Sequence, residues 1–160
     1  MSIQYNQSAL LHVLTFSLGQ QKLAIPAINL REILDPMPCT RVPGAGSVVP
    51  WVLNVRGSVV PLAELRLPLG IRHPHEAQSE TRRFVVLEVE VGEDLVTVAI
   101  VADIVHAVTT IPSAEIEPLP AASQFPAEFI SGIWRGHAEF YLLPDLAAIF
   151  TTLAKRSKAA

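Results

Sequence analysis

Residues Val48 to Leu65 read VVPWVLNVRGSVVPLAEL, two apolar runs separated by Asn54-Val55-Arg56-Gly57-Ser58. Valine-rich stretches on either side of a polar, glycine-containing break predict two strands that meet at a tight turn. Gly57 has a structural reason to be there, since a positive φ costs glycine little.

Working outward, the same grammar recurs. Upstream, Leu11 to Leu18 (LHVLTFSL) and the short run Leu23-Ala24-Ile25 flank Gly19-Gln20-Gln21 and predict a hairpin. Pro26 suits a first helical turn, and Ile28, Leu30, Ile33 and Leu34 have mixed helical spacing before Pro36, so a short helix is expected there. Pro36, Pro38, Pro43, Gly44 and Gly46 leave room only for a short strand around Cys39 to Val42.

Downstream, Leu67 to Arg82 has little periodicity and reads as a surface loop between two halves of the fold. Phe84 to Val91 and Leu95 to Val101 flank Gly92-Glu93-Asp94 as a second hairpin, and Asp103 to Val108 continues as a strand. Ile111 to Phe129 carries four prolines and is expected to be a long ordered connection. Ile130 to Trp134 and Glu139 to Leu143 bracket Arg135-Gly136-His137 as a third hairpin, and Asp145 can cap a terminal helix through about Leu153. Flexible ends are expected over residues 1–10 and 154–160, leaving one domain over 11–153. Many short strands with only two brief helices favour a mainly β barrel or sandwich.

Bulk properties narrow the function. Half of the 160 residues are hydrophobic and 17% are charged, ordinary for one globular unit. The net charge is -3 and the twelve Lys and Arg are dispersed apart from Lys155, Arg156 and Lys158, which argues against nucleic acid and anionic membranes as main partners. No stretch of about 18 apolar residues runs uninterrupted. The start lacks a signal-peptide pattern and the single Cys39 fits a reducing compartment, so a cytoplasmic location is expected. No cofactor motif, nucleophile elbow or phosphate-binding loop is present, and catalysis has no support. His73-Pro74-His75 is the only histidine cluster, and a pair without a third ligand reads as solvated loop. Cys39 reads by default as a small buried hydrophobe.

The blocks together carry a resemblance. Asn54-Val55-Arg56-Gly57 with its following strand and Pro61, then the acidic-apolar Ala63-Glu64-Leu65-Arg66, is similar to the signature of CheW-like domains. Phe16-Ser17-Leu18-Gly19, Leu23-Ala24-Ile25-Pro26 and Leu30-Arg31-Glu32-Ile33 resemble the family's opening hairpin and first helix. Val98 to Val105, and Phe129 to Ile133 followed by Tyr141 to Leu146, resemble its later strands, so four blocks stand in order across residues 11–153.

The resemblance implies two SH3-like five-stranded β-barrels around a shared apolar interior. It also implies an adaptor that bridges chemoreceptor cytoplasmic tips and the regulatory domain of a CheA-type histidine kinase in a membrane-attached array. Under it, Arg56, Glu32, Asn54 and Trp51 fall at the receptor contact, and Leu14, Ala27 and Leu30 at the kinase contact. The chain departs from the family at Pro50-Trp51, where Lys/Glu-Gly is common, which points towards an alternative pathway such as pilus motility or second-messenger control. From the residues alone, Arg56 and Trp51 suit either an interface or the fold's own packing. Glu32 suits a solvated face, paired with Arg31 or Arg66. A rival reading is a small β-barrel that holds a low-molecular-weight ligand in a closed interior lined by Val86, Val98 and Leu142.

Overall fold

The Phe84–Val91 and Leu95–Val101 runs are apolar at nearly every position, a pattern that suits strands covered on both faces. The computed structural model, which describes residues 9–43, 49, 51–71, 80–136 and 139–159 (only the backbone of 156–159), shows why. Strands β1 (Leu10–Leu18) and β2 (Gln21–Pro26) form the first hairpin. After them come β3 (Leu30–Leu34), β4 (Thr40–Arg41), β5 (Trp51–Val55), β6 (Ser58–Ala63) and the one-turn helix α1 (Arg66–Leu69). The chain continues through β7 (Arg83–Val91), β8 (Asp94–Ala102), β9 (Ile104–Pro112), β10 (Ile116–Glu117), β11 (Ile130–Arg135), β12 (Phe140–Pro144) and helix α2 (Leu146–Ala159).

Two six-stranded sheets result, ordered β10-β11-β12-β2-β1-β9 and β3-β7-β8-β6-β5-β4. Each has five strands of five to nine residues plus a two-residue piece, β10 or β4, at one edge. The fold is thus mainly β, with two subdomains as expected. Their chain composition differs from the expectation, because Leu67–Arg82 does not divide the halves. The second sheet is built from residues 30–102 without interruption, while the first takes strands from both sides of that segment. Two parallel pairs, β2 with β12 and β6 with β8, close this arrangement.

The core has three layers, set by strand alternation. Phe84 and Val86 of β7 join Leu53, Val60, Leu62, Ala99 and Val101 inside the second barrel. Val13, Ala24, Ile111 and Leu143 fill the first barrel. The opposite faces of the same strands stack between the barrels: Leu14, Phe16, Leu23 and Ile25 meet Val85, Leu87, Val98 and Ile100, and α2 adds Leu146, Ile149 and Phe150. Val86 therefore faces a different layer from Val98 and Leu142, and these three residues do not line one common cavity.

Three further expectations are corrected. Instead of a helix, residues 27–34 make a 3-10 turn (Ala27–Asn29) followed by β3. The alternation of half-buried and exposed positions from Leu30 to Leu34 pairs with β7, and that long-range partner overrides the helix-like spacing. Cys39 is exposed, since its strand shrinks to Thr40–Arg41 at a sheet edge. The terminal helix starts where Asp145 places it but runs to Ala159, beyond Leu153. Residues 1–8, Gly44, Gly46, Pro50, His73, Pro74, His75 and His137 lie outside the described residues.

Candidate functional site

A two-residue turn connects β5 and β6, with Val55 opposite Ser58 and Arg56-Gly57 at the tip. Both tip residues have positive φ, 52° for Arg56 and 85° for Gly57, the sense that matches strand twist in a tight hairpin. Asn54 secures the turn from below, as its Oδ1 accepts the Gly57 N–H at 2.9 Å. Arg56 is thus a non-glycine residue held in a region that L-residues rarely occupy.

The guanidinium reaches across to β3, where Nη1 donates to Glu32 Oε2 at 2.5 Å. The Arg56 side chain remains 75% exposed while that of Glu32 is 23% exposed, so the carboxylate acts as a recessed anchor under an accessible cation. Glu32 Oε1 is buried and has no partner among the described residues. Glu32 therefore pairs neither with Arg31, which bonds Glu88, nor with Arg66, which bonds Glu64 and Asp103. Trp51 stands at the far end of β5, paired with Leu62 and four pairs from the turn, partly buried against the second barrel's core. Its ring packs against that core. The structure brings Glu32 and Arg56 into contact and keeps Asn54 in the same turn, with a role in backbone geometry.

The second group gathers where the first hairpin leaves the first sheet. Ala27 and Leu30 are half-buried on either side of the fully protruding Ile28, which is 92% exposed. Leu14 is different: it is 1% exposed in the layer between the barrels, so its side chain does not reach the surface. Its strand neighbour Val108, directly opposite on β9, is 59% exposed. Val108 and Ile28 are the apolar surface residues of this region that sequence reading missed. A valine or isoleucine within an apolar run carries no local sign of facing out.

Between the barrels, at the point where the chain crosses from β8 to β9, sits a buried polar clasp. Arg66 of α1 bonds both Glu64 and Asp103, with an Nη1 to Glu64 Oε1 distance of 3.0 Å. Asp103 Oδ2 also accepts the Gly19 N–H at 2.6 Å, and the Asp103 N–H donates to the Ser17 carbonyl at 2.9 Å. One carboxylate thereby ties the β1–β2 turn of the first sheet to the helix that follows β6 of the second.

At the β1–β9 edge of the first sheet, Ser17 Oγ and His106 Nε2 are 2.7 Å apart. Partial burial, then the nearby Lys22 charge, lower the His106 pKa below its ordinary value, with Glu139 opposing. Trp134 and Tyr141 stack with centroids 4.9 Å apart at the mouth of the first barrel, and Trp134 Nε1 donates to Glu115.

The CheW-like domain model matches residues 12–154. The chain belongs to the CheW-like family. Family members are non-enzymatic scaffolding adaptors of chemotaxis, and the two-subdomain fold agrees: the crystal structure of the scaffolding protein TtCheW from Thermoanaerobacter tengcongensis superposes with a TM-score of 0.77 at 21% identity, over 89% of this chain and 93% of that one. Among curated CheW relatives, the chemotaxis protein CheW of Rhizobium meliloti is 28% identical over 86% of each chain. That of Helicobacter pylori is 37% identical over 86 residues, 54% of this chain and 51% of that protein. FrzA of Myxococcus xanthus is 28% identical over 90% of this CheW-like chain and 88% of its own. Among the described residues, no helix is long and apolar enough to cross a membrane.

Proposed function

We propose that this chain couples the cytoplasmic tip of a chemoreceptor to the regulatory domain of a CheA-type histidine kinase, in the cytoplasm and within a membrane-attached array. The observation that carries the receptor half is Arg56, an exposed guanidinium kept on a strained turn and aimed by a recessed carboxylate. Strain of this kind costs about 1 kcal/mol or more, and glycine or asparagine would relieve it. Retaining arginine there makes sense if the guanidinium meets a partner.

The kinase half rests on Ala27, Ile28 and Leu30, an apolar knuckle at the junction of the two barrels. Weak individual contacts, micromolar or about -8 kcal/mol each, suffice when a lattice supplies avidity. Pro50-Trp51 replaces the family's usual pair upstream of the Arg56 turn, and Trp51 stands at the end of β5 remote from that turn. The replacement supports service in an alternative pathway, such as pilus motility or second-messenger control, with its own receptor set.

Replacing Arg56 separates function from fold. Arg56→Gly is expected to shift the thermal midpoint only slightly, because relief of the positive-φ turn offsets the lost pair with Glu32 and the added glycine entropy, yet to abolish co-sedimentation with receptor-tip assemblies. Full co-sedimentation by Arg56→Gly removes Arg56 from the receptor contact. Ile28→Asp, at a position with no packing to lose, tests the kinase contact in the same way.

A further inference from the structure

Strand β9 forms one edge of the first sheet, and among the described residues no strand pairs with its outer side. Residues 106–110 are exposed in succession, and Ile104 to Pro112 (IVHAVTTIP) holds no Lys, Arg, Asp or Glu. Natural edge strands are usually blunted by such charges, because unpaired backbone groups invite strand addition. The only interruptions here are a bulge at His106, between the Thr15–Ala107 and Phe16–Val105 pairs, and the ring of Pro112.

The directions of the peptide groups follow from observed bonds. Thr15 Oγ1 lies 3.3 Å from the Ala107 N and 3.1 Å from its carbonyl, and the Ser113 N–H donates to Ala9, so residues 107, 109, 111 and 113 point their peptide groups at β1. Backbone groups alternate sides along a strand, which leaves those of Val108 and Thr110 facing outward.

We propose that two copies of this chain pair through β9, antiparallel, about a two-fold axis at Thr109. In that register Val108 opposes Thr110 of the other copy, and each pair exchanges both backbone hydrogen bonds. His106 and Pro112 stand three residues to either side of Thr109, so the bulged residue of one strand meets the proline of the other. Pro112 has no N–H to leave unsatisfied at that position. Each strand's irregularity coincides with its mate's, and the zipper is confined to residues 107–111. Two identical uncharged edges meet without like-charge repulsion, and threonine opposite threonine is a favourable cross-strand pair. A second copy thus fits this edge better than a charged partner strand. A dimer of this kind covers Val108 and leaves Arg56, on the other sheet, untouched.

The test uses the purified full chain. Sedimentation velocity at rising concentration is expected to show a reversible doubling of mass, abolished by Val108→Lys and by Thr110→Lys while the thermal midpoint holds. In a Cys39→Ser background, Thr109→Cys is expected to form an intermolecular disulfide under mild oxidation, since an axial non-hydrogen-bonded pair sits at about 4.5 Å between Cα atoms, within disulfide reach. Ile104→Cys in the same background is the control that stays uncrosslinked. A chain that remains monomeric, with both cysteine variants crosslinking equally slowly, overturns the proposal. So does dimerisation that appears only after removal of residues 1–8, which would seat that segment on the edge instead.

Discussion

At the scale of single residues, polar groups near the surface are tuned by neighbours far away in sequence. His106 shows the consequence for pH. Its folded pKa lies below the ordinary value because the imidazolium would be partly desolvated beside Lys22. A lowered folded pKa means that the unfolded chain binds the proton first, so stability is full above about pH 6.5 and declines as pH falls through that value towards the folded pKa. Urea midpoints measured on both sides of that window are expected to fall on acidification, and to fall less for His106→Asn. Of the residues singled out from sequence, the turn at Asn54-Val55-Arg56-Gly57 was legible because its chemistry is local. The partner of Glu32 was not legible, since Arg56 lies 24 residues away and the nearer Arg31 is claimed by Glu88. Leu14 was identified by position in a resemblance, and nothing local reveals that it is buried while its cross-strand neighbour Val108 is exposed.

Elements tell the same story one level up. The four hairpins with glycine at their turns were readable, for alternation and turn residues sit within a few positions of each other. Segment 27–34 was not, because five residues of strand are too few to outvote an accidental helical spacing, and the evidence for β3 is its pairing with β7, about fifty residues on. The start of α2 was readable through Asp145, whose Oδ1 accepts the Ala148 N–H at 3.0 Å as an N-cap should. Asp145→Ala is expected to cost about 1 kcal/mol. For a chain of this length that lowers the thermal midpoint by roughly 2–4 °C, readable by calorimetry. The far end of the helix had no comparable signal, so its length was underestimated.

For the whole molecule, the arrangement of the two barrels depends on contacts with no local signature: a shared apolar layer and the clasp formed by Arg66, Asp103 and Gly19. Removing Asp103 leaves Arg66 paired with Glu64 and the Gly19 N–H without its acceptor, a loss of about 1–3 kcal/mol. Asp103→Ala is expected to lose stability on that scale in urea unfolding, whereas the double change Arg66→Met with Asp103→Leu is expected to cost less than the sum of its parts. A fully additive result would show that the two side chains act independently. The interleaved path of the chain has a consequence for synthesis on the ribosome. Residues 30–102 contain every strand of the second sheet, so that barrel can close while later codons are still being read. The opening hairpin must wait for β12, whose Tyr141 and Leu142 pair with Lys22 and Leu23. Strands β1 and β2, made before the whole second sheet, therefore complete their pairing only after it, and until then their apolar faces are the nascent chain's exposed liability.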